Sequence, residues 1–190
     1  MEPVHIVQPG APGKPSRVIE AKEAVDLTQL QYTEAEVRFV QAMMMHHTQA
    51  LEMTALLTAR TSRDDMQLLG KRIDLSQRDE IELMREWLTL RGVSLSNRGE
   101  LHAHDATLMP GMLTAEEMRR LADAKGSEFD RLFLEFMIRH HEGALIMVDE
   151  LFASVGAAQQ SDIFAFASEI DTDQRMEIGR MSAMLEGSRR

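Results

Sequence analysis

The sequence predicts an all-α protein, a four-helix bundle assembled from two copies of one helical hairpin. Three observations carry that expectation. Apolar residues recur at helical spacing through most of the chain after residue 33, candidate caps divide that pattern into long segments, and the pattern repeats. Phe39, Met43, His46, His47, Ala50, Met53 and Leu57 return 94 positions later as Phe133, Met137, His140, His141, Ala144, Met147 and Leu151. Ile73, Asp74, Gln77, Arg78, Glu80, Ile81, Met84 and Leu88 return 97 positions later as Ile170, Asp171, Gln174, Arg175, Glu177, Ile178, Met181 and Leu185. Two copies are too few for a solenoid. Two hairpins joined by one long crossover make a bundle of the ferritin-like kind.

In chain order, residues 1–33 hold four of the five prolines and read as an extended N-terminal arm. Thr33 with Glu36 forms a capping-box signal, so a helix is expected from about Glu34 to Ala59. Thr61 and Ser62 ahead of Asp64 and Asp65 open a second helix, which runs to about Leu90 and stops at Gly92. These form the first hairpin, residues 34–91. Residues 92–113 show no helical period and contain Gly, Pro, Ser and Asn, which reads as the crossover. Thr114 with Glu117 opens a short helix, broken near Gly126. A long helix follows to about Val155, and Ser161-Asp162 caps a last one to about Glu186. The second hairpin is then 114–188, and residues 34–188 form one domain.

Composition excludes several functions. Thirty-one acidic residues against 21 basic leave a net charge of −10, which argues against non-specific nucleic-acid binding. No stretch approaches the roughly 18 apolar residues of a membrane span. Cysteine is absent, which removes disulfides and thiolate metal sites. Any soft ligand must therefore come from the 15 methionines. No nucleophile elbow, P-loop, dinucleotide fingerprint or zinc-protease motif is present, so an enzyme is not the favoured reading.

The repeated histidines carry the chemistry. At 100° per residue, Phe39, Met43, His46, His47, Ala50, Met53 and Leu57 fall on one stripe, and the second copy does likewise. Both His-His pairs should face the bundle core. On the partner helices Gln77, Glu80 and Met84, and Gln174, Glu177 and Met181, share the apolar face. A lone core histidine is ordinarily a hydrogen-bonded packing residue, and a methionine stripe is ordinarily filler. A polar layer that only fixes register needs far fewer groups than this, placed identically twice.

Ferritin-like di-iron bundles use Glu-x-x-His. The positions three before His46, His47, His140 and His141 hold Met43, Met44, Met137 and Ile138 instead. Thioether with imidazole selects copper, above all Cu(I). Zinc through imidazole and Glu80 or Glu177 fits less well, as does iron. The crossover offers a second candidate site, His102, His104 and Asp105 with Met109 and Met112: His-x-His-Asp suits Cu(II) and Met-x-x-Met suits Cu(I).

At "FVQAMMMHHTQALEM" and "FLEFMIRHHEGALIM", joined by "MPGMLTAEEMRRL" and "GSEFDRLF", the chain resembles the domain-of-unknown-function 305 family over residues 33 to 186. The resemblance implies a ferritin-like bundle of a kind commonly exported in bacteria, with copper-binding members in the periplasm. Carried over by position, it implies metal ligation by His46, His47, His140 and His141 with Met43, Met53, Met137 and Met147. Residues 1–20 lack the features of a signal peptide, so the expected location, secreted or extracytoplasmic, presupposes a signal removed from the mature chain. The sequence thus reads as a non-enzymatic copper protein for storage, buffering or delivery, with the metal ion as its partner and homo-oligomerisation left open. The rivals are a di-metal iron or zinc enzyme and a structural bundle with a buried His–Glu layer.

Overall fold

A computed structural model of the protein describes residues 5–20, 32–95 and 109–187. Among the described residues six helices form: α1 Glu34–Ala55, α2 Leu57–Arg60, α3 Asp64–Leu90, α4 Ala115–Asp123, α5 Gly126–Ala153 and α6 Ser161–Gly187. The architecture is all-α, with four long helices in two hairpins. α1 packs on α3 and α5 on α6, and the hairpins meet where α1 crosses α5. The two histidine-bearing helices are therefore the centre of the molecule, each backed by its own partner. No helix among the described residues is long and apolar enough to cross a membrane.

The helix starts follow from their caps. Thr33 Oγ1 accepts from Glu36 N at 3.2 Å, while the Thr33 N–H donates to Glu36 Oε2 at 2.6 Å. The other Glu36 oxygen accepts from Ala158 N at 2.8 Å. One carboxylate thus caps α1 and holds the α5–α6 turn, where Ala158 sits at φ 54°. Thr114 and Glu117 make the second capping box, and Glu117 also accepts from Arg139 at 2.6 Å. The expected first helix is shorter than its pattern. The chain breaks at Leu56, and Leu57 drops into a notch at Gly70, where a methyl group would meet Leu57 Cδ1 at 2.0 Å.

The described part of the N-terminal arm contains a β-hairpin. His5–Gln8 (β1) and Arg17–Glu20 (β2) pair antiparallel, with Ile6 opposite Ile19. Proline and glycine build the turn: Pro12-Gly13 lies between Ala11 O and Lys14 N, 2.8 Å apart, and Gly13 takes φ 79°. Gln8 is fully buried and donates to Phe152 O at 3.1 Å and Ser154 O at 2.6 Å, carbonyls at the C-terminal end of α5. The hairpin is docked by satisfying a helix C-terminus.

The core is divided in two. One apolar cluster takes Phe39 and Met43 from α1, Ile81, Met84 and Leu88 from α3, Ala144 to Phe152 from α5 and Ile163 to Ile170 from α6. The other takes Ala50 and Met53 from α1, Met66, Leu69 and Ile73 from α3, Phe129 to Met137 from α5 and Met181 from α6. Along every long helix, the residues between the two clusters are polar and buried: His46-His47, Gln77 and Glu80, His140-His141, Gln174 and Glu177. Each cluster also holds one member of every equivalent methionine pair: Met43, Met84 and Met147 in one, Met137, Met181 and Met53 in the other.

Candidate metal centre

His46 and His47 come from the middle of α1, and His140 and His141 from the middle of α5. At these positions the helical repeat points side chains inward, and all four are buried. The outer pair is held identically. His47 Nε2 lies 2.5 Å from Glu80 Oε2, and His141 Nε2 lies 2.6 Å from Glu177 Oε2. A carboxylate only accepts, so each Nε2 donates. In a neutral ring the Nδ1 lone pair is then uncommitted, and both Nδ1 atoms are buried without a partner.

The inner pair stacks, with His46 and His140 ring centroids 3.8 Å apart at 34°. His46 Nε2 donates to the Pro110 carbonyl at 3.0 Å. Its Nδ1 has no partner, and neither has Nε2 of His140. Burial, followed by the charge of His47, pushes the His46 pKa down to about 3. Burial, followed by His46, drives that of His140 well below its ordinary value. Both rings are therefore neutral near pH 7 and present lone pairs to the buried interior.

Gln77 and Gln174 each leave one amide atom buried and unpaired. With the four ring nitrogens, that makes six orphaned polar atoms in one layer. Each costs about 1–3 kcal/mol if it stays unsatisfied. The carboxylates are better served. Glu80 also accepts from Ser76 Oγ at 3.3 Å. Asp173 on α6 has its pKa raised by burial and then by the charges of Glu80, Glu177 and Glu169, so carboxylates gather at the outer edge of the layer.

A resident ion can be tested against these donors. Among the described residues no three histidine, aspartate or glutamate side chains converge as a ready-made cage. Neither a carboxylate-rich cage nor a cluster of three imidazoles is therefore preformed there. The donors that are free are imidazole nitrogens, and the side chains flanking them along the helices are the buried thioethers of Met43, Met53, Met137 and Met147. That set fits a soft ion.

The second candidate site divides. His102, His104 and Asp105 lie outside the described residues. Met109 and Met112 flank the Pro110-Gly111 turn, and this end of the crossover belongs to the core layer, because the Pro110 carbonyl holds His46. The turn is pressed onto α5. Gly111 takes φ 76°, and a Cβ on Gly143 would sit 2.0 Å from Pro110 O. Gln49 of α1 then clamps Leu113, donating to its carbonyl at 3.0 Å and accepting from its N–H at 2.7 Å. Pro110, Gly143, Gln49 and Asp173 were not singled out by the sequence reading. The available signal was a lone glycine inside a long helical pattern, which marks close backbone approach.

Residues 36–185 match the family model described as Domain of unknown function (DUF305). The chain belongs to this family. A DUF305 fragment from Deinococcus radiodurans superposes with TM-score 0.72 at 32% identity, over 82% of this chain and 97% of that one. A DUF305 protein from Streptomyces coelicolor, named as a secreted-protein candidate, gives TM-score 0.72 at 26% identity, over 81% and 93%. CopM in its Cu(II)-bound form gives TM-score 0.66 at 22% identity, over 80% and 96%, a likeness that speaks for the fold. CopM has also been solved bound to Cu(I) and to silver. No curated protein matches this DUF305 chain.

Proposed function

We propose that this DUF305 protein binds copper as its cargo and stores, buffers or delivers it. The observation that carries the reading is the set of four buried histidines, each with a ring nitrogen left without a partner. In three of them Nε2 is anchored to an acceptor, Glu80, Glu177 or the Pro110 carbonyl, and Nδ1 is left open. Anchoring one nitrogen of an imidazole to fix its orientation and free the other is how proteins prepare histidine ligands. Glu80 and Glu177 act here as orienting groups. His46, His47, His140 and His141 supply nitrogen, and Met43, Met53, Met137 and Met147 supply sulfur. Thioethers favour Cu(I) over zinc.

Two further considerations support the reading. CopM, which shares the fold, is known with copper and silver bound. Methionine at the Glu-x-x-His positions removes the carboxylates a di-iron enzyme would use. We also propose an extracytoplasmic location, in keeping with the secreted-protein description of the Streptomyces relative. Competition titration against a chromogenic chelator tests the central point: Cu(I) binds well above Zn(II). Tighter zinc binding, or binding of neither ion, overturns it.

The competing reading is a purely structural polar layer, and the short His47–Glu80 and His141–Glu177 contacts favour it. It accounts for two of the histidines. It leaves His140 Nε2 and His46 Nδ1 without a purpose.

A further inference from the structure

The outward face of α3 carries a feature that neither the core nor the metal layer uses. Leu68, Leu75, Leu83 and Leu90 are 58%, 63%, 49% and 71% exposed. Spaced by seven, eight and seven residues, they fall within an arc of about 80°, opposite the side on which Ile73, Gln77, Met84 and Leu88 are buried. Three charged residues, Arg72, Asp79 and Glu86, lie along the same stripe and alternate with the leucines. Leucines this exposed, in such a row, are not needed to build the bundle. The duplicate helix provides the control: on α6 the equivalent positions hold Ala165, Thr172, Arg180 and Gly187. The stripe belongs to one hairpin only.

The spacing is symmetric about Asp79. Leu75 and Leu83, Arg72 and Glu86, and Leu68 and Leu90 each lie equally far on either side of it. We propose that this face of α3 pairs antiparallel with the same face of a second copy, on a two-fold axis at Asp79. In that arrangement Leu75 packs on the partner's Leu83, Leu68 on the partner's Leu90, and Arg72 meets the partner's Glu86, so that every non-axial contact is made twice. A parallel pairing would place Arg72 on Arg72 and Glu86 on Glu86.

Charge complementarity supports a second copy rather than some other partner. Four of the other charged residues of α3 pair with each other: Arg78 bonds Asp74 at 2.8 Å and Arg85 bonds Glu82 at 2.5 Å. Among the described residues, Arg72 and Glu86 make no hydrogen bond or ion pair, and they are the two charges that the antiparallel register matches. The face runs about 33 Å along the helix. One helix face is smaller than the roughly 800 Å² per partner of a standard interface. Asp79 also opposes its own copy on the axis. The dimer is therefore weak and concentration-dependent.

Sedimentation velocity of the full chain, from micromolar to near-millimolar protein, tests this. The weight-average mass should rise from 21.5 kDa toward twice that value. Leu75→Glu with Leu83→Glu should hold the chain monomeric with its melting temperature unchanged. Arg72→Glu should raise the dissociation constant about tenfold, and Arg72→Glu with Glu86→Arg should restore it, because the reversed pair is again complementary. Asp79→Asn should tighten the dimer. A chain that stays monomeric throughout, a dimer that survives the leucine substitutions, or a reversed pair that fails to rescue would each overturn the proposal. A monomeric leucine variant that melts lower would do so too, by assigning the stripe to a segment of the same chain.

Discussion

His47 and His141 are held alike, at 2.5 and 2.6 Å from Glu80 and Glu177, whereas His46 and His140 are not. His46 gives its Nε2–H to the Pro110 carbonyl, and His140 keeps Nε2 bare although the two rings stack. The outer contacts arise within each hairpin, so duplication copied them. The inner one arises from the crossover, of which there is only one, and it can serve only one of two equivalent rings. Gln49 and Gly143 occupy equivalent positions in the two halves, and both have diverged to hold that single segment, one by clamping Leu113 and the other by having no side chain. The asymmetric part of the site is thus its loop-built part.

Acid should produce the largest change and act on the stacked pair. The His46 pKa is about 3 in the folded protein against an ordinary 6.5. Between those values the unfolded chain binds the proton and the folded chain does not. Stability of the metal-free protein should therefore fall as pH drops from 6.5 toward 3, by several kcal/mol. Urea melts across that range check this, and His46→Leu should flatten the slope. A pH-independent midpoint would mean that the ring is solvated.

Next in size are substitutions at the crossover contact. Gly143→Ala pushes a methyl group into the Pro110 carbonyl and should cost about 3 kcal/mol. At the outer contacts, one in each hairpin, Glu80→Ala and Glu177→Ala should each cost about 2 kcal/mol, and equally, since each strands one buried imidazole. Unequal losses would break the symmetry that the geometry implies. The smallest effect is the control, Gly179→Ala, where a new methyl group meets nothing. It should stabilise by up to about 1 kcal/mol. Thermal melts report all four.

How much of this was legible in the sequence depends on reach along the chain. The capping boxes at Thr33–Glu36 and Thr114–Glu117 are three-residue patterns, and the helices begin where those patterns said. The inward direction of His46, His47, His140 and His141 follows from helical periodicity, which is equally local. The Pro110–His46 and Gln49–Leu113 contacts each span 64 residues and depend on how the crossover lies over α5, which no local pattern encodes. The docked N-terminal hairpin was hidden for a related reason. Its proline and glycine content signals a turn, but Gln8 finds its acceptors 144 and 146 residues away.

The central claim is that the orphaned nitrogens of the stacked pair await an ion rather than each other. Thermal unfolding with and without Cu(I), for wild type and for His46→Leu with His140→Leu, tests it most directly. A ligand that binds only the folded state at a hundredfold excess over its dissociation constant adds about 2.7 kcal/mol. The wild type should therefore melt higher with copper. The double variant should keep its helicity and lose that shift. If wild type and variant melt alike whether or not copper is present, the histidines are a polar packing layer and the metal reading is wrong.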